Sequence, residues 1–335
     1  MDSFTHIVLG AAIGEAVMGK QIGKRAMFWG AMAASLPDID VLFSSFFTGV
    51  DRLLVHRGIT HSILFMLIVS PLLAILFSKI KFKRQAHWKM WNTLFLLGIS
   101  SHLLIDAFTA YGTGWFEPFS HYRVAFNNIF VADPFYTIAL LISFFALLIL
   151  KQDSLKRKMW NRAGLIISSL YMIFTFFTKA NVNSVLEKSL QAQNISYTRY
   201  FTTPTPLNNF LWMLIAEEKD GYRIGYYSIF DRTDDISFQS VPRNQFMLDS
   251  FSQSLEIQNL KLFSDNYYSL SKTDSGLFFY DLRFGKGAGW DDESTPFFFS
   301  YRLDNQGKFK ALDRGRLKGT LTENLEKLIL RIKGI

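Results

Sequence analysis

Over the first 180 residues apolar side chains run together in blocks instead of alternating. Four blocks are continuous: Ile63–Ser78, Asn92–Ala110, Phe135–Leu150 and Ala163–Thr178. Each has ~16–19 residues, the short end of what a helix needs to cross a hydrocarbon core of ~30 Å. Two weaker blocks rich in Gly and Ala, Thr5–Met18 and Ala26–Leu36, precede them and predict short spans, half-helices or helices packed inside a bundle. After Thr178 the period changes to two. NNFLWMLIAEEKDGYRIGYYSIFD predicts two strands joined at Lys219-Asp220-Gly221, and SGLFFYDLRFG and PFFFSYRLDNQGKFKALD repeat the pattern, with Asp304-Asn305-Gln306-Gly307 as a turn. Leu321, Leu325, Leu328 and Leu330 predict a helix over Thr320–Ile332. The predicted fold is an α-helical polytopic membrane domain at 1–180, with four clear and two short helices, and a mostly β extracytoplasmic domain with a C-terminal helix at 209–335. Residues 181–208 are read as the linker between them.

Composition agrees with a membrane protein: 49% of the 335 residues are hydrophobic and 16% aromatic, with a mean hydropathy of +0.14. The net charge of +8 changes meaning once the cations are located. Lys20, Lys24 and Arg25, then Lys79, Lys81, Lys83, Arg84 and Lys89, then Lys151, Lys156, Arg157, Lys158 and Arg162 all lie in alternate loops between apolar blocks. The positive-inside rule assigns those loops to the cytoplasm. The opposite loops and everything after Thr178 then lie on the outer side of the membrane. The basic balance is thus a topology signal with some lipid contact, and it argues against a nucleic-acid partner. With no cysteine, any transition metal must be held by His, Asp or Glu.

The histidines are placed non-randomly. His6 opens the first block, His56 and His61 precede the third in HRGITHS, and His102 lies near the outer end of the fourth, one helical turn before Asp106. Residues i and i+4 share a helix face, so His102 and Asp106 can reach one ion together. Asp38 and Asp40 close the second block in Pro37-Asp38-Ile39-Asp40. In the predicted topology all seven groups, His6, Asp38, Asp40, His56, His61, His102 and Asp106, reach the outer boundary. Ionisable groups at that depth are costly and need mutual compensation, which a divalent cation supplies. Imidazole and carboxylate without sulfur suit Zn, then Mn or Fe. Taken singly, each element has a plainer reading: an HxxxD pair is a common capped histidine, PDID can end a helix, and Thr60 or Ser62 can cap the next one. His121 and Asp133 are weaker candidates.

An opening with His6, ASLPDID at 34–40, HRGITHS at 56–62, SHLLIDAFTAYGT at 101–113, WFEPFSHYR at 115–123 and VADP at 131–134 resembles, as an ordered set, the bacterial YdjM-type family of membrane-bound metal-dependent hydrolases. The resemblance covers about residues 1–180. It implies remote similarity to zinc-dependent phospholipase C and the P1-type nucleases, with His102 and Asp106 matching an HxxxD metal helix. A further histidine found in those soluble enzymes has no counterpart in Ala107–Thr113. The chemistry expected is hydrolysis of a phosphate-containing lipid or lipid-linked substrate. Asp38 or Asp40 is then the general base, and Arg57 or Arg123 holds the phosphate. Two other classes fit the same residues. One is an envelope scaffold locked by a closed metal site, with a protein partner on 209–335. The other is a transporter built on the Gly-rich short helices.

Overall fold

Each of the six apolar blocks is helical in the structure, a computed structural model that describes residues 1–44, 46–47, 50–80, 87–251, 254–274, 276–286, 295, 297–303, 309–311 and 320–334. The helices of this half are α1 (Ser3–Ile22), α2 (Arg25–Ser35), the short α3 (Asp40–Ser44) and α4 (Asp51–Val55), α5 (Ile63–Ser78), α6 (Trp88–Ala107), α7 (Pro134–Ile149) and α8 (Leu155–Ala192). Their starts carry local signals. Asp2 caps α1 by accepting from Thr5 N at 3.0 Å, Ser62 caps α5 from Phe65 N at 3.0 Å, and Asp133 caps α7 ahead of Pro134. The chain divides into two compact units, Met1–Ser44 with Val55–Thr175, and Ser45–Leu54 with Phe176–Ile335.

In the first unit, small residues set the helix spacing. Gly10 and Gly14 of α1 face Ala26, Gly30 and Ala34 of α2 so closely that a Cβ at Gly14 would fall on the Ala26 carbonyl. Gly98 of α6 meets Ala33 in the same way. This small-xxx-small contact lets three backbones approach without intervening side chains. Larger residues fill the flanks: Val8, Leu9, Ile105, Phe108, Tyr136 and Leu140 form one core, and Met18, Ile22, Trp91, Leu94 and Phe95 another.

The outward faces are apolar too. Leu67, Leu72 and Leu76 of α5, Ile138, Ile142 and Phe145 of α7, and Ile166, Ile167 and Leu170 of α8 are exposed, whereas Thr5, His6, Ser70, His102 and Asp106 are buried. Polar inside and greasy outside reverses the arrangement of a water-soluble bundle and suits hydrocarbon surroundings. Among the described residues, Leu155–Ala192 is the one helix long and apolar enough to cross a membrane by itself. Two bent pairs, Arg25–Ser35 with Pro37–Phe43 (57°) and Asp51–His61 with Ile63–Ser78 (52°), also qualify if each is one span.

The second unit holds two four-stranded antiparallel sheets. β1 (Arg199–Pro204), β2 (Leu211–Glu217), β3 (Gly221–Ser228) and β4 (Phe238–Pro242) form the first in sequence order. The β2–β3 hairpin turns at Lys219-Asp220 with Glu217 opposite Tyr222, where the alternation predicts it. β5 (Tyr268–Thr273), β6 (Gly276–Asp281), β7 (Phe299–Leu303) and β8 (Phe309–Ala311) form the second. The turn expected at Asp304–Gly307 lies outside the described residues, as does 81–86 of the basic loop. A helix α9 (Leu255–Phe263) precedes β5, and α10 (Leu321–Ile332) opens on a capping box of Thr320 and Glu323.

Two boundaries differ from the sequence reading. Residues 181–192 are not linker: α8 runs on to Ala192, and its Val182, Val185, Leu186 and Leu190 pack on Trp212, Leu214 and Tyr227 of the first sheet. Within the stretch read as linker, residues 199–204 are β1. Ser45–Leu54 belongs to the second unit despite its place in the N-terminal half. There Val50 is buried in a core with Leu248, Leu260 and Phe279, and Asp51 accepts from Asn259 at 3.0 Å.

Candidate metal centre

The close α1–α2–α6 packing brings three chain segments together at one end of the first unit. Asp38 comes from the turn after α2, His61 from the turn before α5, and His102 and Asp106 from the last turns of α6. One ligand atom from each lies within 4.8 Å of the other three. His61 Nε2 and His102 Nε2 are 3.0 Å apart. Asp38 Oδ1 is 3.5 Å from both, and Asp106 Oδ2 is 3.5 Å from His61 and 3.3 Å from His102. A tetrahedral Zn with bonds of about 2.0–2.2 Å has ligand–ligand edges of about 3.3–3.6 Å. Four of the five separations fall in that range and the His61–His102 edge is shorter, so the four atoms lie close enough, as a cage, to share one divalent ion.

The protonation pattern agrees. His102 Nδ1 donates to the Ala34 carbonyl at 2.5 Å, and His61 Nδ1 faces Asp40 Oδ2 at 3.3 Å and Thr60 Oγ1 at 3.1 Å. With their protons on Nδ1, both imidazoles turn bare Nε2 lone pairs toward each other, an arrangement that a shared cation stabilises. Asp106 Oδ2 is buried with no hydrogen-bond partner. The residues fit a divalent ion.

Surrounding groups fix the cage. The other oxygen of Asp106 receives Arg57 Nη2 at 3.1 Å and His6 Nε2 at 3.2 Å, and it also contacts the amino group of Met1. The His6 ring stacks on His102 with centroids 3.7 Å apart. Asp40 accepts from His56 Nδ1 (3.0 Å), Arg57 N (2.9 Å) and Thr60 Oγ1 (3.1 Å) besides His61, so one carboxylate organises the whole HRGITH turn. Arg57 sits at φ 61°, a left-handed conformation costly for a non-glycine. It is held there by the bond to Asp40, by its carbonyl accepting from Gly114 N at 2.9 Å, and by Nη1 donating to Thr109 Oγ1 at 2.9 Å.

All seven predicted ligands converge, in three kinds of position. His61, His102, Asp38 and Asp106 line the closed cage. Asp38, Asp40 and His56 form a second, more open group in which His56 is 31% and Asp38 21% exposed. His6 belongs to neither group and braces Asp106. Arg57 was expected to hold phosphate, but it is buried with its guanidinium on Asp106 and Thr109. Arg123 donates Nη2 to the His56 carbonyl at 2.9 Å. The weaker candidates stay apart: exposed His121 pairs with Glu117, and Asp133 caps α7 and accepts from Tyr171. Thr109 and the Ala34 carbonyl were missed. Thr109, three residues after Asp106, carries a weak signal, and a backbone carbonyl carries none.

An outward-apolar helical unit with a buried His and Asp cage defines a membrane protein with a candidate metal centre. Residues 1–182 match the YdjM inner membrane protein family, and the chain belongs to it. Inner membrane protein YbcI of Escherichia coli (strain K12) is 37% identical over 122 residues, which cover 36% of this chain and 68% of YbcI. The uncharacterized protein YfhP of Bacillus subtilis (strain 168) is 36% identical over 152 residues, 42% of this chain and 44% of YfhP. No solved structure matches the chain.

Proposed function

We propose that the protein is a zinc-dependent hydrolase at the outer boundary of the inner membrane, acting on a phosphate-containing lipid or lipid-linked compound. Asp38 carries the reading: it is shared by the closed cage and by the open group with Asp40 and His56. One structural ion needs only four ligands, so a second, incomplete group with an exposed edge is what a reacting centre requires. When bound, a divalent ion there supplies Lewis acidity and acidifies a water molecule. Asp40, saturated by donors, orients His56 through Nδ1 and leaves the outer ring nitrogen to take a proton. Arg57 holds Asp106 aligned through Nη2 on Oδ1 at 3.1 Å. Arg123, whose Nη2 donates to the His56 carbonyl, is the cation this reading offers to a phosphate.

The topology in this reading has all six long helices crossing, with the β unit outside. Its support is that α1, α5 and α7 begin and α2 and α6 end beside the cage, while Lys20, Lys24, Lys151 and Arg157 lie at the other end. Cysteines at Ser120 and Asp274 should then react with an impermeant thiol reagent in intact cells, and one at Gln152 should not; the reverse pattern would invert the topology.

The completeness of the closed cage favours a second reading, a metal-locked scaffold for an envelope partner. The test is turnover of phospholipids and isoprenoid phosphates by the full-length protein with Zn, read as released phosphate or headgroup. Metal-dependent turnover lost in His56→Ala, with cage metal retained, supports the hydrolase. No turnover, together with a Co-substituted form showing no exchangeable water, replaces it with the scaffold.

A further inference from the structure

At the end of the first unit away from the cage, α1 and the start of α8 enclose a cavity of about 450 Å³. Lys20, Lys158 and Arg162 line it, with Gln21, Gln152 and Asn161 between them and Val17 and Leu165 as an apolar wall. Its carboxylate, Glu15, is neutralised by Arg157, whose Nε and Nη2 each donate to it at 2.6 Å. The remaining lining is therefore cationic. Lys158 and Arg162 make no hydrogen bond or ion pair among the described residues. Two acceptors add a second requirement. Asn161 is 4% exposed and its Nδ2 donates to the Ala12 carbonyl at 3.0 Å, so its Oδ1 is the free end and has no partner. Gln21 Oε1 is likewise buried and unpartnered.

We propose that this cavity binds the headgroup of a glycerophospholipid from the leaflet opposite the metal centre, one whose phosphodiester also carries hydroxyl or ammonium donors. Three cations take the phosphate, the amide oxygens of Asn161 and Gln21 accept from the donors, and the Val17–Leu165 wall receives the first acyl carbons. Basic pockets between helices near the cytoplasmic surface are suited to such headgroups. The site is independent of the hydrolase reading and needs only that the helical unit lies in a membrane.

The experiment uses full-length metal-loaded protein, delipidated in detergent, with lipid retention read by native mass spectrometry and thermal stability. Phosphatidylglycerol and phosphatidylethanolamine should be retained and raise the melting temperature. Phosphatidylcholine, which has no donor, should bind more weakly, and diacylglycerol or inorganic phosphate alone should do neither. Lys158→Gln with Arg162→Gln, at half-buried and exposed positions, should weaken phosphatidylglycerol retention about thirtyfold with metal content unchanged. Asn161→Leu should erase the preference over phosphatidylcholine. Equal retention by the double variant, or stabilisation by inorganic phosphate matching that by lipid, would overturn the proposal.

Discussion

Asp40 separates the groups that hold an ion from those that hold the holders. Its Oδ2 accepts from Arg57 N, Thr60 Oγ1 and His61 Nδ1, and its Oδ1 from His56 Nδ1. In Asp40→Asn the amide oxygen can keep only one of these two edges. With oxygen toward the HRGITH turn, the new NH₂ meets the His56 Nδ1–H, and that imidazole must change tautomer or turn away. The carboxylate charge behind His61 is lost in either orientation, so the Nε2 lone pair becomes a weaker donor. Loss of such a partner costs about 10–100-fold in metal affinity. That is about 1.4–2.8 kcal/mol, within the range of one or two hydrogen bonds to a charged group. The assay is competition for Zn between the full-length protein and a chromogenic chelator, with far-ultraviolet circular dichroism as the fold control. Asp40→Asn should weaken binding by one to two decades with helices intact, and Asp38→Asn should abolish it. Affinity for the Asp40 variant indistinguishable from wild type would refute its role as the partner of His61.

Three further outcomes are expected. His61→Ala and His102→Ala should each lose the cage ion, and chelation should lower the melting temperature of the wild type but not of these variants, because a ligand bound only to the native state stabilises it by mass action. Gly14→Val should push α1 off the Ala26 carbonyl, cost about 1–3 kcal/mol or more, and release metal without touching a ligand; retained metal and stability would contradict the close-packing account. Burial raises the pKa of Glu217, but hydrogen bonds from Arg243 and Arg199 outweigh it and hold the carboxyl below its usual range. Its stabilisation is thus full above the unfolded carboxylate pKa and lost as pH falls through the lower folded value. Hydrogen-exchange protection over 211–228, taken relative to the intrinsic exchange rate at each pH, should fall at acid pH in the full-length wild type, and Glu217→Gln should flatten that dependence.

The helices were legible because unbroken apolar runs of that length, without the alternation of a strand, favour a helix, and the strands because alternation and a Lys-Asp-Gly turn set the β2–β3 register. The candidate ligands were legible as residue types at spaced positions: HxxxD fixes a shared face by helical geometry alone, and HRGITHS sets two imidazoles beside a helix start that Ser62 caps. Their division of labour was not. Whether Asp40 is a ligand, a base or a brace depends on four donors from a turn 16–21 residues away, and whether Arg57 faces substrate depends on Asp106 and Thr109 some 50 residues on. The end of α8 and the placement of Ser45–Leu54 escaped for the same reason. A helix continues when a sheet covers its apolar face, and a loop joins a unit when that unit's core has room for Val50. Local pattern determines which elements form and which chemistry is at hand; only packing between distant segments decides which oxygen is left without a partner, and so where an ion can sit.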